Sequence, residues 1–284
     1  MVPCPVFGVC TGQGGKMGKI DEARFAAVSC THCPYHNADA IAALCRAIPA
    51  WDLTDFVLLG DLFESAAVSL HADADAHPHT LADEFVAAAS VLEQIEAALP
   101  GGCRKTWMLG NHDDNLQVSD FRRSNPTTRE CLHWSYSPHA KTFAKWRQHP
   151  YIKPSVHDQS GAMLLGQVCF IHGYQAGATS DNIEAKRMRY ALGGLPHLLV
   201  VRGHTHRPQP VTRCRDGNRP VHCWYANTGH LSSNVPPYMR RKDVNEWGSA
   251  VVVGSAKIGR TRRMARREWE ARTIPIEDLE DASS

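Results

Sequence analysis

The chain has 284 residues, enough for one large domain or two small ones, and 43% of them are apolar, enough to bury a full core. A net charge of +2 is too small to point to a nucleic-acid or membrane partner. No stretch reaches the apolar length of a membrane span, and the start MVPCPVFGVC lacks the basic residues and apolar block of a secretion signal, so a cytoplasmic enzyme or binding protein is expected.

Short apolar runs alternate with helical stretches, and no internal repeat is found. GQGGKMGK, near the start, invites a phosphate-loop reading. It fails because Gln13 stands where the first glycine is needed and Ile20 where Ser or Thr is needed. FAAVS reads as a strand. NADAIAALCRAI reads as a helix, with Ile41, Cys45 and Ile48 at helical spacing and Asn37 as cap. DFVLL is a strand ending at Gly60, and HADADAHPH, residues 71–79, a polar loop that binds metal at most adventitiously. Residues 80–99 predict a helix with Thr80 as cap, Asp83 at the capping-box position and an apolar stripe through Leu81, Phe85, Ala88, Leu92, Ile95 and Leu99. KTWML is strand-like, and AMLL and VCFI form a hairpin around Gly166-Gln167. LLVV, HCWYA and SAVVV complete the strands. This alternation argues for an α/β core with helices outside the sheets. Residues 1–255 are taken as the domain. Within it, 114–160 are read as an insertion or cap over the site, rich in aromatic and basic residues. Residues 256–284 are read as a solvated tail, basic and then acidic.

The residues that can carry chemistry come directly after the strands: Cys30-Thr31-His32, Gly60-Asp61, Gly110-Asn111-His112-Asp113, His172-Gly173 and Gly203-His204-Thr205-His206. Each is a metal-competent cluster at the carboxyl end of an apolar run, the edge where open α/β sheets bind ligands. In extended chain, residues two apart share a side, so Cys30 and His32 can face one site, as can His204 and His206. Ten cysteines in a chain of this length, without an export signal, are read as reduced thiols or metal ligands. Cys30 and Cys33 also form a C-x-x-C, but no thioredoxin-like context supports a redox pair and no second element completes a structural zinc site with His36. Cys33 is read as a packed thiol. His230, after the turn in YANTGH, is a further candidate neighbour of the site.

In that order the clusters resemble the signature of the calcineurin-like metallophosphoesterase superfamily, D-x-H, G-D, G-N-H-[DE], H and G-H-x-H. Here they read CTH, GD, GNHD, HG and GHTH, so Cys30 replaces the first aspartate. The resemblance implies a four-layer α/β/β/α sandwich with two mixed sheets, and two divalent metal ions. The first would take Cys30, His32, Asp61 and His206, the second Asp61, Asn111, His172 and His204, with Asp61 bridging. His112 would face the substrate as general acid and Asp113 would orient it. Thiolate at Cys30 conserves the aspartate's charge but favours zinc or iron there, in a centre otherwise open to manganese, iron or zinc. The implied reaction is phosphoester hydrolysis by a metal-bridging hydroxide. The reading prefers a phosphodiester of a nucleotide or small nucleic acid, with Arg122, Arg123, Trp134 and Tyr136 of the insertion as substrate contacts, although its aromatics read equally well as the insertion's own small core. A phosphomonoesterase is the near alternative. A non-catalytic scaffold is the rival from another class, disfavoured because His112 is retained. No membrane partner and no stable nucleic-acid complex are expected.

Overall fold

Strand β1 (Glu22–Val28) sets the architecture. Its alternate residues enter two different cores: Ala23, Phe25 and Ala27 one, Ala26 and Val28 the other, as the two-residue period of a pleated strand requires. A strand apolar on both faces must be covered on both. The same division recurs in β7 (Leu198–Arg202), where Leu199 and Val201 face inward and Leu198 and Val200 outward. The computed structural model describes residues 22–68, 78–116, 133–151, 161–233, 247–258 and 266–279.

Two mixed sheets result. The six-stranded sheet has the order β11-β10-β1-β2-β3-β4, with β2 (Asp55–Leu58), β3 (Arg104–Met108) and β4 (Arg147–His149) parallel to β1, and β10 (Ala250–Lys257) antiparallel to both β1 and β11 (Trp269–Pro275). The five-stranded sheet has the order β5-β6-β7-β9-β8. Its elements are β5 (Met163–Leu165), β6 (Val168–Phe170), β7, β8 (Pro208–Asp216) and β9 (Arg219–Thr228). Between the sheets lies a core in which Phe25 meets Phe170 edge to face at 5.2 Å. Helices α1 (Ala38–Ala47) and α2 (Leu81–Ala98) cover the outer face of the first sheet. Two short helices, α3 (Asn111–Asn115) and α4 (Ala140–Ala144), come next, and α5 (Ser180–Ala191) covers the second sheet. This is the four-layer sandwich expected from the sequence.

The expected helix ends are present. The Asn37 side chain accepts from the backbone N–H of Asp39 and Ala40, and Thr80 and Asp83 form a reciprocal capping box. The AMLL–VCFI hairpin closes through Gly166-Gln167, with Leu165 opposite Val168.

Three readings of the chain are corrected. First, residues 133–149 pack into the domain, while Tyr151 of the same segment stands edge-on to the His172 ring at 5.7 Å. The packed residues supply the edge strand β4 and fill the core under α2, where Trp134, Phe143 and Trp146 are buried. Trp134 packs on Trp107 at 5.0 Å and on Phe63 at 5.7 Å and is 1% exposed, so it has no face to offer a base. Tyr136 is exposed, while Arg122 and Arg123 lie outside the described residues, as do GQGGKMGK and 71–77 of the histidine-rich loop. Second, residues 266–279 are not a solvated tail. WEARTIP is strand β11, with Trp269 and Ile274 buried, and Ile276 and Leu279 continue into the core. Third, strands β4, β8 and β11 and helix α5 were not singled out by the sequence patterns.

Candidate metal centre

The site grows from the backbone outward. Beyond its last paired residue, the chain after β1 stays joined to the chain after β2: Cys30 N donates to Gly60 O, His32 N to Asp61 O and Cys33 N to Leu62 O, at 2.9–3.0 Å. On the other sheet, Gly203 N donates to His172 O at 3.0 Å. The loops after β2 and β3 approach so closely that a Cβ on Gly60 would stand 2.6 Å from Gly110 N and 2.7 Å from His172 Nδ1. That approach, at φ +91°, requires glycine.

Cys30, His32, Asp61, His204 and His206 all have left-handed backbone, with φ between 47° and 69°. Side chains disfavour that region, and strained residues of this kind gather at functional sites. This changes the reason for their convergence. Cys30 and His32 share a site because each sits on a left-handed turn, not because the chain is extended, and the same holds for His204 and His206.

Among the described residues three groups of possible ligand atoms occur: His32, Glu64 and His112 form one, and the other two share Cys30. In one of those two clusters, Cys30, His32 and His206 hold potential ligand atoms within 4.8 Å of one another; Cys30, Asp61 and His172 do the same in the other. His172 Nδ1 donates to the Leu59 carbonyl at 2.6 Å, so in the neutral ring Nε2 is a lone pair. That lone pair faces Asn111 Oδ1 at 3.0 Å, Asp61 Oδ2 at 3.2 Å and His204 Nδ1 at 3.3 Å. His32 repeats the pattern. Its Nδ1 donates to Glu64 Oε2 at 2.8 Å, and its Nε2 faces His206 Nε2 at 3.0 Å and Asp61 Oδ2 at 3.8 Å. The one proton of a neutral His206 or His204 satisfies a single such contact, whereas cations satisfy both clusters at once.

A family model described as calcineurin-like phosphoesterase matches residues 23–208, the stretch that holds all five clusters. The chain belongs to the calcineurin-like phosphoesterase family. No curated protein matches it. Among solved structures, a single-mutant Vps29 from Entamoeba histolytica is 8% identical, with 89% of this chain and 98% of that one covered and a TM-score of 0.40. The phosphoesterase YfcE from E. coli is 15% identical, with 89% and 99% covered and a TM-score of 0.34. The nuclease MPE of Pseudomonas putida is 14% identical, with 84% and 85% covered and a TM-score of 0.33.

The electrostatics of the site suit a cationic occupant. Burial pushes the Asp61 carboxyl up, but His172, His112 and His32 hold it well below the usual range, so it is ionised. Burial and then Asp61 push the Cys30 thiol far up, so its thiolate needs a cation beside it. Burial and the neighbouring His172 push His204 down to about 3, and burial and His32 hold His206 well below the imidazole range, so both present lone pairs.

The expected pairing of His112 with Asp113 is corrected. Asp113 accepts from Phe63 N and Gly110 N and from Trp107 Nε1, so it shapes the loops and does not touch the His112 ring. His112 Nδ1 instead donates to the Glu64 carbonyl at 2.6 Å, and its backbone N–H donates to Asp61 Oδ1 at 3.0 Å. Burial opposes charging of His112, while Asp61 and Glu64 raise its pKa above the ordinary value. Glu64, which orients His32 through its carboxylate and His112 through its carbonyl, was missed. Its one sequence signal was its place three residues after Asp61. His230 does lie at the site, stacked on His206 at 5.2 Å, and Trp247 closes that side, 4.5 Å from the His206 ring. Cys33 is a packed thiol, as expected. Among the described residues, no helix is long and apolar enough to cross a membrane.

Proposed function

We propose that the chain is a binuclear metal-dependent phosphoester hydrolase. The observation that supports this is the convergence of Cys30, His32, Asp61, Asn111, His172, His204 and His206 with their lone pairs facing one another. Cys30, His32, Asp61 and His206 would hold one ion, Asp61, Asn111, His172 and His204 the other. Ions in these places supply charge to polarise a phosphoryl group and to ease deprotonation of a water. His112 handles the leaving group. Its side chain is 25% exposed, whereas those of His32, Asp61 and His172 are 1–4% exposed, so a substrate meets His112 first. The Glu64 carbonyl holds the proton on Nδ1, which leaves Nε2 to carry and deliver a second proton to the departing alkoxide.

The sequence reading prefers a nucleotide or nucleic-acid diester because of the aromatic and basic segment at 114–160. Trp134, as a core residue, does not support that preference, so the proposal covers phosphoesters as a class. The test gives metal-stripped protein manganese, iron or zinc and compares a generic phosphodiester with a generic phosphomonoester. Turnover of at least one is expected. Asp61→Ala abolishes it, and His112→Ala lowers kcat roughly 10²–10⁴-fold with metal content unchanged. Full activity in His112→Ala removes the acid role. A wild-type protein that binds both ions yet turns over neither substrate is the non-catalytic scaffold.

A further inference from the structure

Behind the second cluster stands a charged group with no part in the chemistry above. Arg202, the last residue of β7, is fully buried. Its Nη1 lies 2.8 Å from Glu184 Oε2 and 3.4 Å from Asp181 Oδ1, both on the first turns of α5, and its Nη2 donates to Gln175 O at 2.9 Å. Glu184 is also fully buried, and its Oε1 accepts the backbone N–H groups of both Tyr174 and Gln175 at 2.9 Å. Asp181 Oδ1 accepts from Asn227 Nδ2 at 2.9 Å. The same Nδ2 lies 3.2 Å from Gly203 O and 2.9 Å from Thr205 Oγ1.

These contacts fall mainly on two loops, and Asn227 Oδ1 reaches a third by accepting from Gly229 N at 2.9 Å. Tyr174 and Gln175 come just after His172, while Arg202, Gly203 and Thr205 surround His204. The chain at Gly173 lies against the guanidinium, where a Cβ would stand 2.7 Å from Arg202 Nε. One carboxylate therefore ties down the His172 loop and, through Arg202, the strand end that presents His204. The second carboxylate reaches the other side of His204 through Asn227. A buried ion pair adds little stability compared with apolar side chains of like volume, so net folding energy does not account for this arrangement. Fixed geometry at a ligand does, because groups that orient metal ligands govern metal affinity.

We propose that Glu184 and Asp181 of α5, acting through Arg202 and Asn227, are positioning residues that set His172 and His204 for the second ion and act on the first ion only indirectly, where the His204 backbone N–H donates to Cys30 Sγ at 3.4 Å. This rests on the binuclear reading above.

Titration of stripped protein with cobalt(II) tests it. The thiolate-to-metal absorption of Cys30 reports an ion at that sulfur, which adjoins both groups, and elemental analysis of the dialysed protein counts the two ions. Glu184→Gln keeps an oxygen for the two N–H groups but loses the charge, and Asp181→Asn does the same at its position. The double variant Arg202→Met/Glu184→Gln removes the pair at nearly constant volume, so a folded protein carries the test if a single change unfolds the chain. In each, one of the two cobalt ions is expected to be held roughly 10–100-fold more weakly while the other keeps its affinity. Equal weakening of both ions, or of neither, overturns the proposal. A wild-type protein that takes up no second cobalt ion overturns the binuclear reading itself, a distinct result, and the positioning role with it.

Discussion

Cys30 is the position where this site departs from its family's signature, and the departure has chemical consequences. A thiol that is buried beside Asp61 stays protonated on its own, so cation binding there releases a proton and creates the thiolate. Soft sulfur then selects for zinc or iron over harder ions. Replacing Cys30 with Asp restores an oxygen donor of equal charge. Cys30→Asp is expected to keep the fold, to move metal preference toward manganese or magnesium, and to lose the thiolate-to-cobalt absorption of the wild type. Unchanged metal preference and absorption place Cys30 outside the ligand set. All seven proposed ligands were legible from sequence because each comes after a strand, in a recognisable order. Glu64 and Trp247 were not, because their roles come from where loops turn. Glu64 reaches His32 and His112 only after the chain beyond β2 folds back along Cys30–Cys33. Trp247 reaches His206 only through the return of the chain into β10. The Asp113 expectation failed for the same reason. Adjacency in sequence suggested that it orients His112, whereas α3 turns it toward Trp107 and the loop backbone.

Helix α2 shows how far pattern reading goes for an element. Its cap, length and stripe were all predictable, but the pattern did not single out Glu84 beside that stripe. It is 2% exposed, and its Oε2 accepts the Ser65 backbone N–H at 2.7 Å, fixing the loop beyond Asp61 and Glu64. Burial and the neighbouring Glu64 push its pKa up to about 8, and the Ser65 bond only partly offsets them. The folded state thus holds this proton more tightly than the unfolded chain. Its contribution to stability is complete below the ordinary carboxyl value and is lost as pH rises through about 8. Denaturant titrations from pH 5 to 9 are expected to show wild-type stability falling by more than that of Glu84→Gln, with a gap on the order of a few kcal/mol. Parallel curves mean that Glu84 is ionised throughout. Strand β11 taught the opposite lesson. Its basic lead-in suggested a solvated helix, but Trp269, Ala271 and Thr273 alternate with exposed Glu270 and Arg272, the period of an edge strand. Charges on the outward face hid it, since net charge says nothing of which face a residue occupies.

Across the whole molecule the proposed ligands divide between the layers. Cys30, His32, Asp61 and Asn111 come after β1, β2 and β3 of the six-stranded sheet, and His172, His204 and His206 after β6 and β7 of the other. Each proposed ion would therefore take ligands from both sheets, and neither set exists in an unfolded chain. Ligands that bind only the folded state stabilise it by mass action, about 2.7 kcal/mol per site at a hundredfold excess over Kd. Stripped protein given zinc or manganese should melt several degrees higher, and Asp61→Ala, which removes the carboxylate common to both sets, should lose most of that gain. The histidines of residues 71–79 are a second place for metal to bind. Ions held there would leave the melting temperatures of wild type and Asp61→Ala nearly unchanged, because an ion that does not require the two sheets to be packed together binds the unfolded chain as well. The size of the gain lost with Asp61 therefore measures how much of the metal effect belongs to the junction between the layers.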